Sequence, residues 1–422
     1  MVELLRERKA RIFLVGYAVS IFGTGFVYPL TAIYLNSVVM ATVKEISLYF
    51  FLVGGCSFIA APLSGLLSDR IGCRPVGVGS VALQAFGALL ISLSPSFSSA
   101  VVGGMILGLG NGCFYGVQTS LLFAIFGKAR LTKIFGIQYM VMNVAVAVSG
   151  VAGGAVASLL GSVGFRICYF FNSLSFLAYG IALFVCLGHP AVPGPEASGD
   201  KADKGEPGCR MGAAKVIRTP FFRRVLLPLA IIQFILAGFG FSQMDSVMPL
   251  VFVNYGHYDI GISGVFLSMN CIAVVLSQAR AEKFVSRHGK ERALLTASAI
   301  WCFATVFSVL AVVFAPGTSM GIVFVCLYAI VFGFGETLVS PSVQPLIVDH
   351  APKSCLGFCS SAVNTMYSLG TMVGPALTLG LISQSDCTGI WFAIFPMLIV
   401  AALGALFLSK GTKRCEGDVV QS

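Results

Sequence analysis

The chain alternates between long apolar runs and short polar turns. A helix that crosses a bilayer needs about 20 consecutive apolar residues, and twelve runs of roughly this length lie between clusters of charge or turn residues. The pattern therefore predicts twelve membrane-spanning helices. The predicted spans cover residues 12–35, 46–67, 76–94, 99–123, 134–160, 167–187, 225–253, 262–279, 293–314, 320–346, 357–383 and 389–409.

The basic N-terminus followed by an apolar run is similar in outline to a secretory signal peptide. The run extends from Ile12 to about Leu35, which is too long for the apolar core of a signal peptide, and no small-residue cleavage site closes it. We therefore interpret this run as the first span.

The composition agrees with a membrane protein. Hydrophobic residues make up 57% of the 422 residues and charged residues only 10%, and the mean hydropathy is +0.92. A soluble domain is about 25% charged, so a soluble enzyme, a disordered chain and a disulfide scaffold are excluded. Most of the 13 cysteines lie within apolar runs, where cysteine acts as a small hydrophobe, and we expect neither a structural disulfide nor a metal site.

The distribution of Lys and Arg predicts the orientation. If the N-terminus is cytoplasmic, 25 of the 27 Lys and Arg residues fall on the cytoplasmic side, and only Lys44 and Arg166 fall outside. Cytoplasmic loops are enriched in these residues, so both termini are expected in the cytoplasm. The net charge of +10 then reflects topology and not nucleic-acid binding. We expect a multi-pass protein of the cell (inner) membrane.

The longest polar stretch divides the spans six and six. Residues 188–224 are rich in Pro, Gly and charge, which is typical of a flexible linker. We predict an all-α protein with two pseudo-symmetric six-helix bundles, 1–187 and 225–422, the second ending in a short cytoplasmic tail.

Repeated residues in the two halves support duplication of a six-helix bundle. Three groups of residues in the first half recur in the second half at nearly the same offset. Gly136, Asn143 and Gly153 recur as Gly357, Asn364 and Gly374, Gly108 and Gly110 recur as Gly333 and Gly335, and Arg70 and Gly72 recur as Arg287 and Gly289.

A charged motif lies in the turn between spans two and three. It reads Gly65-Leu-Leu-Ser-Asp69-Arg70-Ile-Gly72-Cys-Arg74. Its glycines permit a tight turn, and its charged groups can make hydrogen bonds across helix ends that break when the protein changes state. A basic turn that only sets topology is the alternative. The motif resembles the loop 2–3 signature of the major facilitator superfamily, although Cys73 replaces one basic position.

Two carboxylates lie well inside predicted spans, Asp245 and Glu336. A charged side chain at mid-membrane is costly and normally faces a cavity. Such a group can bind a cation or exchange a proton, and competition between the two would give antiport. A structural hydrogen bond to a neighbouring polar side chain is the alternative.

The segments around these carboxylates resemble the seventh and tenth spans of LmrP-type multidrug/proton antiporters. They read Gln243-Met-Asp245-Ser-Val-Met-Pro249 and Gly335-Glu336-Thr-Leu-Val-Ser-Pro341. The resemblance implies that Asp245 and Glu336 line a drug cavity and couple transport to protons, and that Asp69 is a conformational switch. Two further carboxylates of that group are absent here, where Gln138 and Ala124 stand.

Neutral polar and small residues at membrane depth are further candidates. Each polar residue could instead make an interhelical hydrogen bond, and each glycine could serve packing alone, since small residues let helices approach closely. The cavity candidates are Asn111, Gln118, Gln138, Asn143 and Gln243. The helix-packing candidates are Gly150, Gly153, Gly154, Gly374 and Pro375.

Three function classes remain open at this stage. The favoured one is proton-coupled efflux of lipophilic, in particular cationic, drugs or toxic compounds by alternating access. The second is an exporter or uptake carrier dedicated to one endogenous metabolite. A membrane enzyme or receptor would need a catalytic cluster or a sensor domain, and neither is visible in the sequence. We expect a monomer that binds lipophilic small molecules and protons, uses the proton gradient, and needs no cofactor, metal or nucleic acid.

Overall fold

The structure is a computed structural model, and it describes residues 7–126, 131–187, 219, 221–350, 356–382 and 386–420. Most of the predicted linker, 188–218 and residue 220, lies outside the described residues. The side chains of Asp69 and Ala124 also lie outside the described part of the chain, as do the surroundings of Gly65. The division into two domains and a linker therefore stays a prediction.

The twelve predicted spans correspond to twelve helices. The helix bounds extend beyond most predicted spans by a few residues, because the helices continue into their polar ends. We number them in chain order. They are α1 (Arg8–Val27, continued by Thr31–Ser37), α2 (Val43–Ile71), α3 (Cys73–Leu93), α4 (Phe97–Phe126), α5 (131–160), α6 (162–187), α7 (Phe222–Asn254), α8 (Gly261–His288), α9 (Lys290–Phe314), α10 (Ser319–His350), α11 (Leu356–Gly380) and α12 (Gly389–Val420).

Two local features explain how the chain is divided. Pro29 interrupts α1, because proline has no main-chain N–H to donate. Helices α5 and α6 form one continuous helical stretch, Leu131–Leu187, broken only at Gly161, whose φ of 55° is a left-handed conformation suited to glycine. Ten described stretches are long and apolar enough to cross a membrane, and one of them contains both α5 and α6. With α11, these stretches give twelve spans.

The turns between helices two and three of each half have the same backbone conformation. Gly72 has φ 91° and ψ 154° between α2 and α3, and Gly289 has φ 88° and ψ 159° between α8 and α9. These values lie outside the region that residues with a side chain adopt readily. The repeat of Arg70 and Gly72 as Arg287 and Gly289 therefore corresponds to a structurally equivalent turn.

The fourth helix of each half carries equivalent packing glycines. A Cβ atom on Gly108 of α4 would collide with α2, and one on Gly333 of α10 would meet α8. On another face of the same helices, Gly110 of α4 packs on α3, and Gly335 of α10 packs on α9. In each half the fourth helix thus lies between the second and third, as a duplicated bundle requires.

The two bundles meet along three helix pairs, which are α1–α7, α2–α11 and α5–α8. Ser47 of α2 donates a hydrogen bond to the Ala376 carbonyl of α11 (2.5 Å), and Asn254 of α7 donates to Asn36 of α1 (2.7 Å). The Ser158 hydroxyl of α5 donates to the Asp259 carboxylate (2.9 Å) just before α8. These contacts lie at the helix ends assigned to the outside, so the outer side is closed.

Candidate functional site

Asp245 lies in an irregular stretch of α7. The segments Leu236–Phe241 and Gln243–Val247 are π-helical, a conformation that is rare and is often found at functional sites. Pro249 follows one turn later and cannot donate a main-chain hydrogen bond to the Asp245 carbonyl. The local sequence therefore widens the helix at the level of the carboxylate.

The Asp245 side chain is half-buried and contacts the opposite bundle. Tyr28 of α1 lies close enough to its carboxylate to interact with it electrostatically. Tyr115 of α4 and Tyr367 of α11 also lie close enough to interact electrostatically with Asp245. Helices of both halves therefore surround this carboxylate.

Glu336 of α10 belongs to the same site. It interacts electrostatically with Asp245 and lies near the Asn270 side chain of α8, whose amide nitrogen donates a hydrogen bond to the Ala329 carbonyl of α10 (3.4 Å). Tyr139 of α5, in the first bundle, also interacts electrostatically with Glu336. The two carboxylates that the sequence analysis selected are thus brought together in one cavity between the bundles.

Tyrosines form much of the wall of this cavity. Tyr28 is 38% exposed, Tyr115 70% and Tyr367 37%, although all three lie in spans and beside Asp245. These side chains therefore border open space between the bundles, which lies on the inner side of the contacts that join the outer helix ends. Sequence reasoning missed these residues. Tyrosine at membrane depth is a weak signal, and only the folded chain shows which tyrosines converge.

The wall suits a lipophilic cation. Aromatic rings attract cations through their negative faces, and two carboxylates supply full negative charge. Lys and Arg are absent from the middle of the described spans, so an anionic group would find no partner there.

The predicted polar cavity residues differ in their surroundings. Gln243 is fully buried; its amide nitrogen donates to the Phe239 carbonyl (2.5 Å) and its oxygen accepts from Tyr328 (3.0 Å). Asn143 is buried and donates to the Tyr139 carbonyl (2.9 Å). Gln138 is buried with no hydrogen-bond partner for its amide among the described residues. Asn111 and Gln118 are half-buried on α4.

The loop 2–3 motif makes its described contacts within the first bundle. The Arg74 guanidinium donates to the Phe184 carbonyl of α6 (3.2 Å) and lies 4.4 Å from the centre of the Phe184 ring. Arg70 is exposed. The proposed switch at Asp69 lies outside the described side chains.

The predicted packing glycines lie at helix contacts. Gly150 and Gly154 of α5 approach Gly264 of α8, on the boundary between the bundles. Gly153 packs on Phe26 of α1, and Gly374, which precedes Pro375, packs on Gly238 of α7.

Comparisons with known proteins agree with this architecture. The profile of the Major Facilitator Superfamily matches residues 13–375 and, in a second match, 264–417. The relative "Uncharacterized MFS-type transporter YttB" of Bacillus subtilis (strain 168) is 20% identical over 406 residues, 96% of each chain. The "Fujikurins efflux protein" of Gibberella fujikuroi is 24% identical over 332 residues, 78% of this chain and 63% of that protein.

Solved transporters share the fold. The nucleoside transporter NupG superposes with a TM-score of 0.72 at 12% identity, over 96% of this chain and 99% of that chain. The profile match covers most of the chain, and the twelve helices form two equivalent halves around a central cavity. The chain is therefore a multi-pass membrane transporter, not an enzyme, and belongs to the major facilitator superfamily.

Proposed function

We propose that this transporter exports lipophilic, in particular cationic, compounds in exchange for protons. The observation that carries the proposal is the meeting of Asp245 and Glu336 in one tyrosine-walled cavity. A buried carboxylate is costly in a membrane, and two of them together strongly favour the uptake of positive charge. Either a cationic substrate or protons can supply that charge.

The transport cycle follows from this competition. In the inward-open state the ionised carboxylates bind the cation from the cytoplasm or the inner leaflet. Rotation of the bundles closes the inner side and opens the cavity outward, where the pH is lower. Protonation of Asp245 and Glu336 then weakens cation binding, and the substrate leaves. Each net charge that moves down the membrane potential contributes about 2.3 kcal/mol per 100 mV.

Inside-out vesicles test the proposal directly. An imposed pH gradient should drive transport of the lipophilic cation tetraphenylphosphonium and of a neutral lipophilic drug by the wild-type protein. Asp245→Asn and Glu336→Gln should abolish cation transport, because each removes a negative charge from the cavity. The matched control is Glu282→Gln, at an exposed carboxylate at the cytoplasmic end of α8, which should transport like the wild type. The proposal would be contradicted if transport depended neither on the pH gradient nor on the substitutions Asp245→Asn and Glu336→Gln.

The alternative is an exporter dedicated to one metabolite. It is favoured by the similarity to the Fujikurins efflux protein, whose name assigns it a single class of compound. Under this alternative neither probe would be transported, whereas a single compound from a metabolite screen would be carried in a gradient-dependent manner.

A further inference from the structure

We propose that Trp301 of α9 is a positioning residue that sets the distance between the helix segments carrying Asp245 and Glu336, and thereby selects the size of cation that the cavity accepts. The inference rests on the proposed function and names a determinant of its substrate range. The Trp301 side chain is fully buried within the second bundle. It therefore acts through the helices that it touches and not by binding the substrate.

The Trp301 indole lies between α7 and α10. The atoms Cε3, Cζ3 and Cη2 of its six-membered ring face Gly240 of α7, and a Cβ atom added to this glycine would collide with them. The atoms Cδ1 and Nε1 of its five-membered ring face Gly335 of α10, where an added Cβ atom would lie 2.5 Å from Cδ1 and 2.6 Å from Nε1. Because glycine has no side chain, one rigid ring system rests directly on the main chains of both helices.

Both contacts lie next to a carboxylate of the cavity. Gly335 directly precedes Glu336, and Gly240 lies five residues before Asp245, about one turn of the π-helical part of α7. The indole N–H also donates a hydrogen bond to the Phe332 carbonyl (2.9 Å). This carbonyl lies four residues before Glu336, on the same turn of α10. The position of the indole is therefore coupled to the turns that carry both carboxylates.

Aromatic neighbours fix the orientation of the indole. The Phe332 ring stacks on Trp301, with 4.5 Å between the ring centres and 6° between the planes. The Phe241 ring meets it edge-on, at 5.1 Å and 82°. Phe241 in turn packs edge-on against Tyr367 of the cavity wall, at 6.1 Å. These are geometries that aromatic rings prefer, and they extend from the buried indole to the wall of the cavity.

A spacer at this place would control which cations fit. Protein interiors are packed as densely as organic crystals, so a change in one buried side chain is felt by its neighbours. If a smaller ring replaced the indole, α7 and α10 would relax partly into the space that it leaves. Asp245 and Glu336 would then lie closer together, and bulky cations would lose more affinity than compact ones.

The test measures how tightly the purified full-length protein binds phosphonium cations of three sizes, tetraethyl-, tetrabutyl- and tetraphenylphosphonium. In Trp301→Phe, the affinity for the tetraphenyl cation relative to the tetraethyl cation should fall about tenfold, the lower end of what a misfit of one methylene group causes in a shaped pocket. A role in stability alone would reduce the fraction of protein that binds any of the cations, and the ratio of their dissociation constants would stay at the wild-type value.

Trp391→Phe is the matched control. Trp391 of α12 is the second of the two tryptophans in the sequence. It is also buried in the second bundle, and its indole N–H donates a hydrogen bond to the Ser308 hydroxyl of α9 (2.9 Å). The control therefore removes the same volume and one hydrogen bond without touching the segments that carry the carboxylates. Both variants should lose thermal stability, but Trp391→Phe should keep the wild-type ratio.

The outcomes separate the role of Trp301 from the proposed function. A wild-type ratio in Trp301→Phe, or an equal change of the ratio in Trp391→Phe, overturns the role of Trp301 and leaves proton-coupled cation export in place. A wild-type protein that binds none of the three cations overturns the proposed function, and the selection by Trp301 with it.

Discussion

At the scale of single residues, position along a helix does not determine which polar side chains reach the cavity. Gln243 and Asp245 are two residues apart on α7, yet Gln243 is fully buried in the second bundle and Asp245 is half-buried beside Tyr28. Both ends of the Gln243 amide are hydrogen-bonded, to Phe239 and Tyr328. Its contacts therefore favour a role in stability over a role in substrate binding.

Gln243→Leu should destabilise the protein without changing substrate affinity. The substitution leaves the Tyr328 hydroxyl without its acceptor, and a buried polar group without a partner costs about 1–3 kcal/mol. Thermal unfolding in detergent measures the loss, and tetraphenylphosphonium binding measures the affinity. Tyr328→Phe is the control, because it removes the other partner of the same bond and its effect should not add fully to that of Gln243→Leu. A weakened affinity at unchanged stability would place Gln243 in the binding site.

The two carboxylates could be selected from the sequence, whereas the tyrosines around them could not. Charge within an apolar run is rare because it is costly, so Asp245 and Glu336 can be identified from the sequence alone. Tyrosines within apolar runs, such as Tyr28 and Tyr115, can equally well face lipid or pack inside the protein. Their role depends on the crossing of helices from both halves, which no local pattern encodes.

At the scale of helices, the outer end of α2 is fixed by a capping box just before the predicted span 46–67. The Thr42 main-chain N–H and hydroxyl both donate to the Glu45 carboxylate (2.8 Å each), and the Glu45 main-chain N–H donates to Thr42 Oγ1 (3.3 Å). The hydrogen bond from the Thr42 main-chain N–H is the main reason why the pKa of Glu45 lies below its ordinary value. This cap starts the helix that also carries Ser47, one of the contacts between the bundles.

The first turn of α2 should therefore lose stability in acid. Since the pKa of Glu45 is lower in the folded protein than in the unfolded chain, its contribution is complete above the ordinary glutamate pKa and is lost as the pH falls through the folded value. Glu45→Gln should increase amide hydrogen exchange in this turn at neutral pH and should match the wild type in acid. Lys44→Gln is the control, because Lys44 is an exposed neighbour outside the cap. An equal effect of both substitutions at neutral pH would contradict the role of the cap.

Helix number and order were predictable, because hydropathy and charge distribution report the solvent around each run. The direct connection of α5 to α6 was harder to predict, because the turn at Gly161 needs only one residue with positive φ and no polar loop. The π-helical segments of α7 were not predicted either. The sequence near Asp245 contains glycines and Pro249, but which carbonyl each N–H selects depends on the packing of α7 against α11.

At the scale of the whole molecule, small residues set how closely the two halves approach on the outer side. The Ser268 hydroxyl of α8 donates to the Ala147 carbonyl of α5, and Gly264 lies against the Gly150 backbone one turn away. A Cβ atom on Gly264 would also lie 3.0 Å from the Val151 Cα atom. Because the obstacle is main chain and not a flexible side chain, α5 and α8 would have to move apart.

Gly264→Ala should therefore shift the transporter toward outward opening. Overpacking of this kind costs about 1–3 kcal/mol. Because this destabilisation would affect only the inward state, the ratio of the two states would change by about 5- to 150-fold. Amide hydrogen exchange should rise in the outer halves of α5 and α8, and tetraphenylphosphonium export should fall because the inward state is less populated. Gly79→Ala is the matched control, since a Cβ atom on this exposed glycine of α3 would meet nothing within 4 Å. Unchanged exchange in Gly264→Ala would mean that the approach of α5 and α8 does not hold the outer side closed, and the closure would then depend on the Asn36–Asn254 and Ser47–Ala376 contacts.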